Sequence, residues 1–372
     1  MALQNLKLKH FRNFTELDIA LHPHFNFIFG KNAQGKTNLI EALFYLSELK
    51  SFRAASKDEL IQNQKGFSKI ETSLQKDHLD WKISITLTPK ERQVLVNGKR
   101  PQKNRDYFGL IPVILFEPRH IYLFRDTPSL RRKYLDRALF LMDPTSLDLV
   151  QDYKQVISQK NKILKEGVGY TLIEDVWNEK LSELGGQIIF KRLKWFDDIK
   201  AFLIKEYQAL SGTKENFSLV YHSKIFSPLE CNHLDQNSIQ EELNKVLKDR
   251  FQEEIRRRES LVGPHRDDFC GFLNERDLSQ FASQGENRSA VIALKLAQLK
   301  MFENKFEKTP IFLLDDVASE LDENRTSYLF SYLRDEAAQV FLTTTENDLI
   351  HKEYQRRCHI FLVEEGTVSV LA

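Results

Sequence analysis

The chain has 372 residues, 41% hydrophobic and 29% charged. That composition excludes a disordered chain, and the length exceeds one ordinary core, so two lobes or a large α/β unit with an insertion are expected. Lys and Arg total 54 against 53 Asp and Glu, a balance silent about nucleic acid or membrane, so any DNA-binding face must be local.

The first residues alternate: Leu6 and Leu8, then Leu17, Ile19 and Leu21, predict two strands joined around HFRNF. They lack the apolar core of a signal peptide, and no apolar run has membrane-spanning length. Cys231, Cys270 and Cys358 show no metal or disulfide spacing. A cytoplasmic protein without a membrane partner is expected. FNFIF, Phe25 to Phe29, reads as a buried strand, and TNLIEALFYLSEL as a helix with Leu39, Ala42, Leu43 and Leu46 on one face.

From Lys69 to Val96 strands return, with Trp81, Ile83, Ile85 and Leu87 alternating and a turn at Asn97-Gly98. FRDTPSLRRKYLDR, Phe124 to Arg137, sets Arg125, Arg131, Arg132, Lys133 and Arg137 against Asp126 and Asp136. On charge alone it is either a solvated helix face or a phosphate-binding face. Ser129 to about Leu210 carries Pro144 alone among prolines and predicts a mostly helical lobe without the sustained heptads of a coiled-coil arm. SQGENRSAVIALKLAQLKMF predicts a helix with a loop at its N-terminus. PIFLLDD and QVFLTTT predict strands, and HIFLVEEGTVSVL a hairpin turning at Glu365-Gly366.

Three of these segments carry chemistry. GKNAQGKT (Gly30, Lys31, Asn32, Ala33, Gln34, Gly35, Lys36, Thr37) matches G-x-x-x-x-G-K-[ST] between a buried strand and an amphipathic helix. Its glycines let the backbone wrap phosphate oxygens, Lys36 reaches the β and γ phosphates, and the Thr37 hydroxyl ligates Mg2+. PIFLLDD ends an apolar strand in Asp315, placed to hold the magnesium through water, and Asp316, placed to polarise the attacking water. Ser283, Gln284 and Gly285 open a helix, where Ser283 is either a plain N-cap or part of a second anion-binding turn. GPHRDDF admits a metal reading through His265, Asp267 and Asp268, or a structural turn with Arg266 at DNA or an interface.

In this order and spacing, GKNAQGKTNLIEAL, SQGENRSAVIALKLA and LLDDVASELD resemble the phosphate loop, signature, magnesium strand and D-loop of SMC-like, ABC-type ATPases. LFEPRHIYLFRDTPSLRRKYLDR and LVGPHRDDF resemble segments distinctive of the RecF family within that group. The implied fold is α/β, a P-loop ABC-type ATPase head with an antiparallel β patch and a mostly helical second lobe, without long coiled coil. The ATPase parts would be 1–125 and 256–372, and the helical lobe 126–255.

The resemblance implies a slow ATPase in which Ser283 and Gly285 act in trans on ATP held by the partner's P-loop in an ATP-dependent homodimer, with Ser319 to Asp322 lining that interface. Arg12, Asn13 and Asn38 would lie near the nucleotide and Arg53 would approach its phosphates. Asp316 would be the general base. Double-stranded and gapped DNA, RecR and RecO, and indirectly RecA and single-strand binding protein, are the implied partners, with Arg131, Arg132, Lys133 and Arg266 as DNA contacts. Departures from the family pattern are Ala33 for glycine, Glu286 and Asn287 for two glutamines, and Ser289 for threonine. The competing expectations are an SMC-type head bridging DNA, which would need coiled-coil arms, and the ATPase subunit of a transporter.

Overall fold

Alternation at the start of the chain becomes antiparallel pairing. After the short β1 (Ala2–Leu3), β2 (Asn5–Phe11) pairs with β3 (Phe14–Ala20), Leu6 opposite Ile19 and Leu8 opposite Leu17. The apolar run is β4 (Phe25–Phe29), and α1 (Lys36–Glu48) follows the glycine-rich loop with Leu39, Ala42, Leu43 and Leu46 all buried. Next come β5 (Ser68–Lys76), β6 (Leu79–Leu87), β7 (Arg92–Val96) and β8 (Val113–Phe116).

The middle of the chain is helical: α2 (Pro128–Met142), α3 (Ser146–Glu166), α4 (Asn178–Ser211), β9 (Phe217–His222), α5 (Gln236–Asp249) and α6 (Phe251–Arg257). Pro144 falls between α2 and α3. Then follow β10 (Asp268–Leu273), β11 (Arg276–Asp277), α7 (Leu278–Phe281) and α8 (Gln284–Phe306). The chain ends with β12 (Ile311–Leu314), α9 (Glu323–Asp335), β13 (Val340–Thr344), β14 (Cys358–Glu364) and β15 (Thr367–Val370). The computed structural model describes residues 2–54, 56–76, 79–103, 106–167, 170, 176–226, 235–316, 321–335, 338–345 and 358–371.

These elements form two compact units, Met1–Ile121 with Phe302–Ala372, and Tyr122–Met301. The second includes 256–301, which the sequence reading assigned to the ATPase part. β10 pairs with β9 along its whole length, and this pairing ties that stretch to the helical lobe. The longest described helix, α4, has 34 residues and packs against α3, α5 and β9, so it is core and not a projecting arm.

The first unit has two sheets. One is antiparallel, ordered β3-β2-β5-β6-β7 with β1 on β5. The other is ordered β15-β14-β4-β13-β12-β8, parallel from β14 to β8, with β15 closing the edge antiparallel. Every residue of β12 and β13 is buried, which explains the continuous apolar sequence of β12 and the apolar start of β13 before Thr343 and Thr344. Each such Leu, Ile or Phe contributes roughly 1.5–3 kcal/mol on burial. Strand order has a functional consequence: β13 lies between the parallel β4 and β12, so the carboxyl ends of all three lie side by side on one edge of the sheet.

Candidate functional site

The loop after β4 is built around two close backbone approaches. A Cβ at Gly30 (φ 153°) would lie 2.4 Å from the Val363 carbonyl oxygen, and one at Gly35 (φ 121°) would lie 2.6 Å from Asn13 Nδ2. No larger residue fits either place without moving its neighbours. Ala33 also adopts a left-handed φ of 65°, where glycine is at ease and alanine is strained. No side chain caps α1 at Gly35, and its first turn carries no acid, so its N–H groups face the loop as an anion site. Lys36 Nζ curls back, donating to the Gly30 and Lys31 carbonyls at 2.6 and 2.9 Å. Burial lowers the pKa of this ammonium, against the pull of Asp316 and Asp315.

The second half of the site stands at the end of β12. Thr37 Oγ1 donates to Asp315 Oδ1 at 2.9 Å, and Thr343 Oγ1 donates to the same oxygen at 3.0 Å. Burial raises the Asp315 pKa, while both hydroxyls and the charge of Arg53 oppose the shift. Asp316 leaves the strand in a left-handed conformation (φ 49°), its N–H donating to Thr343 Oγ1 at 2.7 Å. Such a φ in a non-glycine residue is strained, and strain of this kind concentrates at functional sites. Thr343 holds both carboxylate residues in register, a role the sequence reading missed. The hydroxyls of QVFLTTT were the available signal.

The residues expected around the nucleotide divide into two groups. Asn13 touches the loop, its Nδ2 donating to Gln34 O at 2.8 Å and its Oδ1 accepting from Asn38 Nδ2 at 2.8 Å. Arg53 is exposed and reaches Asn38 Oδ1 at 3.2 Å. Arg12 instead braces α1, binding the fully buried Glu41 through two 2.8 Å bonds. Ser51 links the groups, donating to Glu41 and accepting from Arg53 N at 2.8 Å. The terminal hairpin adds a contact that no local pattern announces: Glu365 N donates to Gln34 Oε1 at 2.7 Å.

In the second unit, Ser283 caps α8. Its Oγ accepts from Glu286 N at 3.1 Å while the Glu286 carboxylate accepts from Ser283 N at 2.6 Å, a reciprocal capping box. These bonds hold the Glu286 carboxyl below its usual range, aided by Arg276. Ser283 and Gln284 are exposed, Gly285 is half-buried, and Phe281 beside them is 66% exposed.

Of the four expected DNA contacts, Arg131 is buried and clamps Asp268 through bonds of 2.8 and 2.7 Å, so its guanidinium is engaged in the fold. Arg266 pairs with Glu259 at 2.8 Å. Arg132 donates to Asp267 O at 3.1 Å, and Lys133 is exposed. GPHRDDF is a turn whose ionisable side chains are engaged: His265 with Tyr153, Asp267 with Tyr221 and Asp268 with Arg131. Among the described residues no cluster of His, Cys, Asp or Glu could hold a metal, and no helix is long and apolar enough to cross a membrane. Of the expected D-loop, Ser319 and Glu320 lie outside the described residues, as does Cys231. Asp322 is described and accepts from Arg325 N at 2.9 Å at the start of α9.

Fold and site together define an SMC-like P-loop ATPase head: the model of the RecF/RecN/SMC N terminal domain matches residues 2–369. The DNA replication and repair protein RecF of Geotalea uraniireducens (strain Rf4) is 38% identical over 368 residues, spanning 99% of this chain and 100% of that protein. RecF of Halalkalibacterium halodurans (strain ATCC BAA-125 / DSM 18197 / FERM 7344 / JCM 9153 / C-125) is 34% identical over 372 residues, spanning 99% of each. The recombination mediator protein RecF with ATP, of the RecFOR pathway, superposes with a TM-score of 0.90 at 30% identity, covering 100% of this chain and 98% of that one. An Smc head bound to the C-winged helix domain of ScpA shares the fold alone, with a TM-score of 0.56 at 15% identity over 100% of this chain and 97% of that one. The chain belongs to the RecF family.

Proposed function

We propose that this chain is a weak ATPase used as a switch: ATP joins two copies into a homodimer that clamps DNA at gaps or single-strand to double-strand junctions, and hydrolysis releases it. The observation that carries this reading is the bond between Thr37 and Asp315, which joins the phosphate loop to the magnesium strand. Both groups are hard oxygen donors, which suits Mg2+. When bound, the ion offsets charge on the β and γ phosphates.

The chain's own residues do the rest. The loop N–H groups and Lys36 hold the phosphates, Asn13 and Asn38 fix the loop's shape, and Arg53 stands at its mouth. Asp316 orients and deprotonates the attacking water. Ser283, Gln284 and Gly285 complete the partner's site, a role supported by the exposure of Ser283 and Gln284 at a helix start beside the exposed Phe281. RecO and RecR are the protein partners, and the complex promotes loading of RecA on DNA coated by single-strand binding protein; the similar structure of the recombination mediator protein RecF of the RecFOR pathway supports this reading. Contact with DNA is largely to phosphates, so it weakens steeply with salt.

Light scattering without nucleotide, with ADP and with ATP, each repeated with gapped DNA, tests the reading. An ATP-specific dimer strengthened by DNA is expected. A monomer at saturating ATP and DNA would overturn it.

A further inference from the structure

The segment after α1 carries Arg53, and its backbone is fixed at several points. Leu49 ends the helix in a left-handed conformation (φ 52°), its N–H donating to Tyr45 O at 2.9 Å. Phe52 packs T-shaped on Phe44, a buried residue of α1, with 5.4 Å between ring centroids. Between them, the Ser51 hydroxyl accepts from Arg53 N at 2.8 Å and from Ala54 N at 2.6 Å, and donates to Glu41 Oε1. A serine hydroxyl has one proton and two lone pairs, so these bonds use it completely and leave Glu41 as the receiver of its proton.

Glu41 is fully buried, and its other bonds fix it in place. Arg12 Nε donates to its Oε2 and Arg12 Nη2 to its Oε1, both at 2.8 Å, while Arg12 Nη1 donates to Glu59 O at 2.8 Å. A carboxylate taken out of water needs such charged and hydrogen-bonding partners. The Arg12–Glu41 pair is therefore a rigid point to which Ser51 ties the turn.

The turn presents a guanidinium that the fold hardly uses. Arg53 is exposed, its Nη1 reaches Asn38 Oδ1 at 3.2 Å, and among the described residues no carboxylate pairs with it. Asn38 follows Thr37 in α1, and the Arg53 charge is felt at Asp315, where it opposes the rise in that carboxyl's pKa. Arg53 thus lies on the Thr37–Asp315 side of the loop, the side that receives the terminal phosphate and its metal ion in the reading above. A long exposed side chain loses rotamer freedom when it engages a ligand, and a backbone held in advance reduces that cost.

We propose that Ser51 is a positioning residue for ATP: tied to the Arg12–Glu41 pair, it holds the backbone of residues 53 and 54 so that Arg53 meets the terminal phosphate, which makes the chain distinguish ATP from ADP. The proposal rests on the nucleotide reading above. Ser51 acts through Arg53.

Fluorescence titrations with a slowly hydrolysed ATP analogue and with ADP, on the full chain in magnesium and at concentrations low enough to keep it monomeric, read the effect without turnover. Arg53→Ala should weaken the analogue about tenfold or more and leave ADP within about twofold. Ser51→Ala should weaken the analogue about three- to tenfold, again leaving ADP within about twofold. Added to Arg53→Ala, it should cause no further loss, because the two residues act as one unit. A role in folding alone would weaken both nucleotides alike or act equally in both backgrounds, and either result overturns the proposal. So does an unchanged analogue affinity in either single variant. Should Ser51→Ala fail to fold, Ser51→Cys takes its place in the cycle, since a thiol is a weak donor and a weak acceptor. A wild type that binds neither nucleotide overturns the nucleotide reading and this proposal together, whereas ATP binding without coupling between Ser51 and Arg53 overturns this proposal alone.

Discussion

Thr37 Oγ1 donates to Asp315 Oδ1 across 2.9 Å, although 278 positions separate them in the chain. The bond exists because β4, β13 and β12 are parallel neighbours whose carboxyl ends converge. Thr37→Val removes this donor and a metal ligand together, leaving Asp315 with Thr343 alone. A hydrogen bond to a charged group is worth about 1.5–3 kcal/mol, so ATP affinity in magnesium should fall at least about tenfold. Fluorescent ATP titrations with and without magnesium check this. An equal loss in EDTA would show that Thr37 acts on loop shape and not on the metal.

Asp316→Asn should leave ATP binding and dimerisation intact and slow hydrolysis by about a hundredfold or more, the usual worth of a positioned base. The dimer should then persist after ATP addition where the wild type reopens. Single-turnover hydrolysis followed alongside light scattering reads both quantities. Wild-type turnover in the variant would remove Asp316 from the base role.

What was legible in the sequence was what depends on near neighbours. Phe25 to Phe29 reads as a strand from its own residues and is β4, and Glu365-Gly366 reads as a turn and joins β14 to β15. Thr343 was not legible as a site residue because its role depends on strand order, which no local pattern specifies. Nor was the seat of Glu365 on Gln34, which lies 331 positions away. Arg131 looked like a surface cation because charge patterning cannot tell a solvated guanidinium from one paired with Asp268 at a separation of 137.

Composite sites make a complementation test. Lys36→Met should lose ATP-dependent dimerisation, and Ser283→Arg should block the partner's site. A mixture of the two places a wild-type loop opposite a wild-type signature once per dimer. Partial recovery of dimer and hydrolysis in the mixture is expected, and recovery absent at every mixing ratio counts against action in trans.

The Glu286 carboxylate closes the capping box on Ser283. It therefore holds a negative charge where the partner's γ-phosphate is proposed to arrive. Glu286→Gln keeps a side chain able to accept from Ser283 N and removes the charge. ATP-dependent dimer affinity should rise roughly three- to tenfold at low salt and less at high salt. Thermal stability should fall slightly, by about 0.5 kcal/mol, as the cap weakens. Sedimentation at two ionic strengths decides the matter, since a salt-independent change would exclude the electrostatic cause.

His265 and Asp267 give opposite pH dependences two residues apart. Burial lowers His265 from 6.5 to about 4. The unfolded chain therefore binds a proton below pH 6.5 that the folded chain refuses, and this group's stability contribution, complete above 6.5, is lost as pH falls toward 4. Burial raises Asp267 from 3.8 to about 6, against the Tyr221 hydroxyl and Arg192. Here the folded chain keeps a proton that the unfolded chain has released, so this contribution is present below 3.8 and lost as pH rises toward 6. Between pH 4 and 6 the two slopes cancel. Asp267→Asn leaves the histidine slope alone, so acidification from pH 6 to 4 should cost the variant roughly 2–3 kcal/mol more than the wild type. Urea midpoints at pH 4, 5 and 6 measure it. Parallel pH profiles for the two proteins would show that Asp267 is ionised throughout, held so by Arg192, and that the turn stores no protonation energy.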